Sequence, residues 1–390
     1  MSLIKMLMSK PYHIRRFAIL IVAGIALLVT SCKKDEVESL KPSLAIPLVY
    51  DSTGFSYNSE PLKPLIQQYT NLIQEAEKGR QTGTYVSEET LNAAFTQGNF
   101  SLQSATTPYY TSQLRAQNNG FFAELSKASG GNFYPFDRSW EGGVYRGYLF
   151  DEYGLEMGQM IEKGMYGATL YNYAVSLIHG TFTTATADQI LFLYGSNPKF
   201  FNSDNSKFYS NPDKLMAAYA AQRDDATGTG LYSQIRLAFI TLQAALKGGE
   251  DYNEYRDEAL AAIKLNWEKT NAATVIHILQ EATALLNATD QDDQKRAESL
   301  HLISEAIGFL HGWRTIDITN KTITDAQIDD ILVVLKAPYN RSSAVYRFVT
   351  NSAEEAPKLK EAIGKIQAVY GFTNDEVESF RHNYVAEQGR

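Results

Sequence analysis

Two histidine–glutamate pairs carry the most explicit chemistry in this sequence. His277 and Glu281, and again His301 and Glu305, stand four residues apart inside runs of helical periodicity, a spacing that puts imidazole and carboxylate on one helix face. Imidazole nitrogens and carboxylate oxygens are the donors that hold iron or manganese inside helical bundles. The four residues therefore predict a metal site, with iron as the expected ion. Glu268 falls within the apolar stripe of the first of these helices and is expected as a buried, supporting carboxylate. A plain hydrogen-bonded pair at a tight helix interface is the other reading of the same spacing.

Further polar groups surround this pattern. Glu156 and Gln159 share a helix face and are candidate binding residues, whereas Glu162 beside Lys163 reads as a surface pair. A glycine- and aromatic-rich stretch over residues 99–148 ends near Trp140, a candidate for a binding surface, because long ordered loops often carry function. The bland alternative is that these rings wedge the loop onto the body. Asp290 to Asp293 lack the glycine and distal glutamate of a calcium loop and read as turn and cap. His179, His311 and His382 show no partner in the sequence and read as core or surface residues.

The elements that must position these groups are helices. Val275, Leu279, Ala282 and Leu286 form one stripe and Leu300, Ile303, Ile307 and Leu310 another, with the histidines on the opposite sides. A turn centred on Thr289 makes the two helices antiparallel and sets His277 and His301 level. Gly308 and Gly312 lie on the His301 side and invite another helix to approach closely. Helices are expected near 61–79, 87–97, 108–127, 151–179, 186–194, 211–222, 230–247, 252–287, 292–314, 324–335, 343–349, 353–370 and 374–384. Starts are marked by Asn211-Pro212-Asp213 and by the capping-box pairs Thr324/Gln327, Ser352/Glu355 and Thr373/Glu376. Leu48 to Tyr57 reads as a short extended segment, a small hairpin. No repeat of fixed length suggests a solenoid. The fold class is all-α: a multi-helix bundle, as one domain or two lobes, over residues 48–390.

The first 31 residues read as a removable leader: Lys5, Lys10, Arg15 and Arg16, then an apolar run from Phe17 to Val29 too short for a confident membrane span. Val29-Thr30-Ser31-Cys32 closes it in the manner of a lipoprotein cleavage site. Cys32, the only cysteine, is expected to carry diacylglycerol and an N-linked palmitate, which excludes both a disulfide and a cysteine nucleophile. Residues 32–47 read as the lipidated cysteine and its tether, whose Lys33-Lys34-Asp35-Glu36 is similar to surface-export tags of Gram-negative lipoproteins. Four of the 36 basic residues lie in the leader, so the mature chain sets 32 against 44 acidic residues. That balance argues against a nucleic-acid partner.

Zincin, esterase and P-loop signatures are absent, so the chain is expected not to be an enzyme. Three segments carry a resemblance: Met157 to Ala168, Tyr255 through Trp267-Glu268 to His277, and His301 to Phe309. Together they resemble an uncharacterised family of bacterial lipoproteins, classed as a domain of unknown function, whose members look like genomic neighbours of imelysin-type proteins. Imelysin-like proteins are helical bundles associated with iron uptake and with a peptidase label. The resemblance implies an imelysin-like, surface-displayed outer-membrane lipoprotein binding iron or an iron complex for a nutrient-uptake system, with a TonB-dependent transporter or an imelysin-like protein as partner. Two alternatives stand beside it: a glycan- or protein-binding accessory of such a transporter, and an imelysin-type metallopeptidase. The imelysin motif Gly-x-His-x-x-Glu is absent here, since His301 and Glu305 stand one residue too far apart.

Overall fold

Helical periodicity dominates the chain after Pro61, and the architecture follows it. A computed structural model describes residues 42–137, 141–180 and 182–390. The leader, Cys32 with most of its tether, and Trp140 lie outside these residues. Lys63–Glu77 (α1) begins with a proline in its first turn and buries Leu65, Tyr69 and Leu72, the spacing that one apolar helix face requires. Glu88–Thr96 (α2) is capped by Ser87, whose Oγ accepts the Thr90 amide at 3.1 Å. Pro108–Arg115 (α3) and Phe121–Ala128 (α4) occupy the span expected to be one helix. The break falls at Gly120, where a Cβ would come within 2.5 Å of the Ala116 nitrogen, so the chain folds back there more tightly than any side chain permits.

The aromatic stretch that reads as a loop contains a hairpin. Gly142–Tyr145 (β1) pairs antiparallel with Tyr148–Asp151 (β2), Gly143 opposite Phe150 and Val144 opposite Leu149. Its two-residue turn, Arg146-Gly147, has both φ angles positive, at 51° and 88°, as the right-handed twist of a hairpin demands. Arginine replaces the usual asparagine or aspartate, which hides the turn in the sequence. The segment at 48–57 is not a hairpin. Phe55–Ser59 is a short helix, and Asp51 is fixed by side chains instead, through a two-way exchange with the Gln243 amide and an ion pair to Lys247 at 2.6 Å.

Met157–Met165 (α5) runs through a π-helical segment, Tyr166–Tyr171, into Asn172–Ile178 (α6). Then follow Thr184–Tyr194 (α7), Leu215–Gln222 (α8), Leu231–Gly248 (α9), Asn253–Leu286 (α10), Asp293–His311 (α11), Asp325–Val334 (α12) and Ser352–Tyr370 (α13). α8 starts after the expected Asn211-Pro212-Asp213 because Asp213 is used elsewhere: its buried carboxylate accepts from the Asn197 and Ser203 amides and the Tyr232 hydroxyl. Thr324/Gln327 and Thr373/Glu376 form their capping boxes. Ser352/Glu355 does not, since Glu355 is buried and ion-paired with Lys336, Arg347 and Lys358.

At 34 residues, α10 is about 50 Å long and packs against α9, α11 and α13. Its run from Thr270 to Gln280 is buried on every side, as a stretch without formal charge requires. α11 packs in turn on α5. From Pro42 to Arg390 the chain forms one compact unit, mostly all-α, with this hairpin as the sole sheet among the described residues. Among those residues no helix is long and apolar enough to cross a membrane.

Candidate functional site

The close approach of α11 to α5 depends on missing side chains. A Cβ on Gly312 would lie 2.1 Å from the Gly164 carbonyl oxygen, and one on Gly308 would lie 2.6 Å from that of Gln159. The glycine face does invite a helix, and the helix is α5. This contact brings Glu156, just ahead of α5, against His301 on α11.

His301 Nδ1 is 2.6 Å from Glu156 Oε2, and its Nε2 faces Glu305 Oε1 at 3.7 Å. Tyr148 of the hairpin stacks on the imidazole, ring centroids 4.5 Å apart. Glu156 is 1 % exposed; its other oxygen accepts from Arg80 Nε at 2.8 Å, and its backbone amide donates to Ser304 Oγ. With its amide turned to suit both neighbours, Gln159 donates to Glu305 at 3.2 Å and accepts from Arg80 at 2.8 Å. Lys163 closes the group through Glu162 at 2.7 Å, Glu305 at 3.2 Å and the Tyr219 hydroxyl at 3.1 Å. Burial works against the Lys163 ammonium, yet Tyr219, Glu162 and Glu305 hold its pKa well above the usual value. Lys163 is therefore buried, not the exposed partner in a surface pair.

Chemically this is a closed ion-pair network. Both imidazole nitrogens face carboxylates, and Arg80 and Lys163 supply the balancing charge. The cavity beside it, lined by Arg80, Glu156, Gln159 and Glu162, has a volume near 10 Å³, room for one water at most.

The remaining metal candidates stand in other surroundings. His277 Nε2 is 3.4 Å from Glu281 Oε2, and this hydrogen bond, with the field of Arg223, lowers the Glu281 pKa despite partial burial. Glu268 is buried as expected, but it serves the backbone: its oxygens accept from the Thr322 and Ile323 amides at 2.7 and 2.8 Å and from the Tyr370 hydroxyl at 2.9 Å. Burial raises its pKa against the pull of these donors. Among the described residues no group of three or more histidine, cysteine, aspartate and glutamate side chains stands where a metal ion could be held.

The largest opening near these elements is a cleft of about 530 Å³ between α3, α4, the segment after β2, α11 and the 337–343 loop. Its wall includes His311, which carries no signal in the sequence. His311 is 4 % exposed, and its Nε2 meets the Tyr109 hydroxyl at 2.9 Å while its Nδ1 has no hydrogen-bond partner. Burial, aided by the Arg314 charge, holds its pKa down to about 3, so the ring is neutral. Asp151 lines the same cleft with its pKa pushed up to about 7 by burial, against the Leu155 and Tyr153 amides that it accepts from and with Glu124 and Glu152 adding to the rise. Ser343 Oγ, also in the wall, is buried without a partner.

Residues 191–373 match the family model described as "Domain of unknown function (DUF4856)", so the chain carries a domain of an uncharacterised family. That segment contains His277, His301 and His311, whereas Arg80, Asp151 and Glu156 lie outside it. No curated protein and no solved structure matches the chain.

Proposed function

We propose that this chain is a non-enzymatic, lipid-anchored binding protein of the bacterial outer membrane that serves a nutrient-uptake system. The observation that carries the reading is the 530 Å³ cleft, lined by polar and charged residues that include Glu124, Asp151, His311 and Arg341. A volume of this size lies within the range of small-molecule sites. His301, Glu156 and Glu305 are, by contrast, tied to one another in an ion-pair network.

In this reading Cys32 carries the lipid, the body is displayed at the cell surface, and the ligand passes to a TonB-dependent transporter or an imelysin-like partner. Iron fits the reading as a complex that brings its own donor atoms, because such a complex needs only a cleft. A bare ion, or the zinc of a metallopeptidase, needs a donor cluster of the protein's own. A protein-binding role has one observation in its favour: Tyr134 and Phe136 are exposed side by side, with centroids 5.4 Å apart, in the loop that leads to Trp140.

The test is native mass spectrometry, with elemental analysis, of the full-length protein extracted from its own membranes without chelator. A lipidated species carrying a stoichiometric small molecule is expected, with palmitate labelling lost in Cys32→Ser. A delipidated, ligand-free species with metal-dependent proteolytic activity would overturn the proposal.

A further inference from the structure

Near the start of its folded body the chain carries an apolar run that the fold leaves in water. Leu44-Ala45-Ile46-Pro47-Leu48-Val49 holds no polar side chain, and its large members Ile46, Leu48 and Val49 are exposed, Leu48 at 88 % and Val49 at 68 %. Tyr57, in the short helix that follows, is exposed to 87 %. Consecutive apolar residues left exposed beside a well-buried core mark an interaction surface.

The run is held in place from below. Tyr50 is buried and its hydroxyl donates to Asp188 on α7 at 2.5 Å, while Asn58, next to Tyr57, donates to the other oxygen of the same carboxylate at 2.7 Å. One carboxylate therefore pins the neighbours of both Val49 and Tyr57. The backbone is also suited to a setting with little water: Pro47 has no amide proton to satisfy, and the Leu48 carbonyl accepts from Arg236 Nη2 on α9 at 3.1 Å. Arg236 is itself exposed and sets a positive charge beside the run.

Size and position decide what covers this surface. Four apolar side chains are far fewer than the roughly 20–30 residues that each side of a specific protein interface contributes. A bilayer needs no such area when the protein is already attached to it. Pro42 stands ten residues after Cys32, a stretch that spans at most about 35 Å, so a lipid on Cys32 keeps the run within reach of the membrane. Weak surface binding then becomes an intramolecular event, at an effective concentration of roughly millimolar order.

We propose that Ile46, Leu48, Val49 and Tyr57 dock the body onto the phospholipid surface that holds its anchor, with the apolar side chains at the headgroup boundary and Arg236 on a lipid phosphate. The proposal rests on the lipid-anchored reading above. Because Cys32 is the only cysteine and is blocked by lipid in that reading, Leu48→Cys offers a single labelling site. The lipidated variant, labelled there with a polarity-sensitive fluorophore, is reconstituted into vesicles of phosphatidylethanolamine and phosphatidylglycerol that contain a spin-labelled lipid. Blue-shifted emission, quenched by the spin label, is expected at position 48 and not at Val333→Cys, an exposed control on α12. Adding Ile46→Asp and Val49→Asp should reduce the quenching at position 48 about threefold or more with the unfolding temperature unchanged, since both side chains are exposed. Lipidated protein on the vesicles whose position 48 emits as it does in water would overturn the docking and leave the anchor intact. A blue shift seen in native membranes and absent from pure lipid would assign the surface to a protein partner and overturn the docking as well. Protein whose mass shows no lipid and that does not float with vesicles would overturn both readings.

Discussion

His301 Nδ1 stands 2.6 Å from Glu156 Oε2 across 145 residues of chain, and that contact ties the α5 start to α11. Because Arg80 leans on the second oxygen of the same carboxylate, Glu156 is shared between the N-terminal third of the body and its long central helices. Removing one member of a buried pair strands the other. Glu156→Ala is expected to cost about 3 kcal/mol, measured as a shift of the urea midpoint. A double-mutant cycle with His301→Ala should return a coupling of about 1 kcal/mol or more; additivity of the two losses would show the contact to be energetically idle.

The glycine contact predicts a sharper effect. In Gly312→Ala the new methyl would meet the Gly164 carbonyl at 2.1 Å, and a backbone atom cannot step aside as a side-chain tip can. About 3 kcal/mol of destabilisation is expected. Gly364→Ala has nothing within 4 Å and sits inside α13, so it should leave stability equal or improve it by about 0.5 kcal/mol. Equal thermal midpoints for the two variants would refute the packing argument.

Two cleft residues should oppose each other in pH dependence. The folded His311 pKa, about 3, lies below its ordinary 6.5, so the unfolded chain takes up the proton first and stability is lost as pH falls through that window. Asp151 is raised from 3.8 to about 7; the folded chain keeps a proton the unfolded chain releases, and stability is lost as pH rises. Each slope is at most about 1.4 kcal/mol per pH unit. Between pH 3.8 and 6.5 the two cancel. Relative to the parent, Asp151→Asn should gain stability as pH rises across this range, and His311→Gln should lose it. Parallel curves for parent and variants, from denaturant titrations at several pH values, would sink the assignment.

Glu268 is expected to matter through what it caps. Glu268→Ala leaves the Thr322 and Ile323 amides and the Tyr370 hydroxyl without their acceptor, a loss of about 3 kcal/mol. Glu268→Gln keeps one oxygen in place and should cost about half as much. Hydrogen exchange at the Thr322 and Ile323 amides should accelerate in the alanine variant; unchanged exchange there would contradict the role.

Much of this was legible in residue order, and the reasons are local. The three-four rhythm of α1, the uncharged run of α10, and the boxes at Thr324 and Thr373 each depend on residues within a turn or two of one another. So does the His277–Glu281 pair. Glu268 could be read as buried from its stripe, but not as a backbone acceptor, because Thr322 and Ile323 lie more than 50 residues away. The pairing of Glu156 with His301 was invisible for the same reason: Gly308 and Gly312 announced a close neighbour without naming it. Spacing put both histidine pairs on helix faces, yet only the tertiary packing of α5 decides that His301 meets Glu156. His311 gave no sign at all, since its partner Tyr109 and most of its cleft come from separate stretches of chain.

The π-helical segment Tyr166–Tyr171 lies between Gly164 and α6 and contains Gly167, where a Cβ would come within 2.8 Å of the Gly312 carbonyl. Such wide turns hold an extra residue relative to regular winding. Deleting one residue from this stretch would therefore allow an ordinary helix and leave the turns on either side close to their present register. The shortened rod would be the better-wound of the two, and it would still carry Tyr171 towards the Asn320 carbonyl that its hydroxyl now reaches, at the cost of the widened turn that seats Gly167 against Gly312.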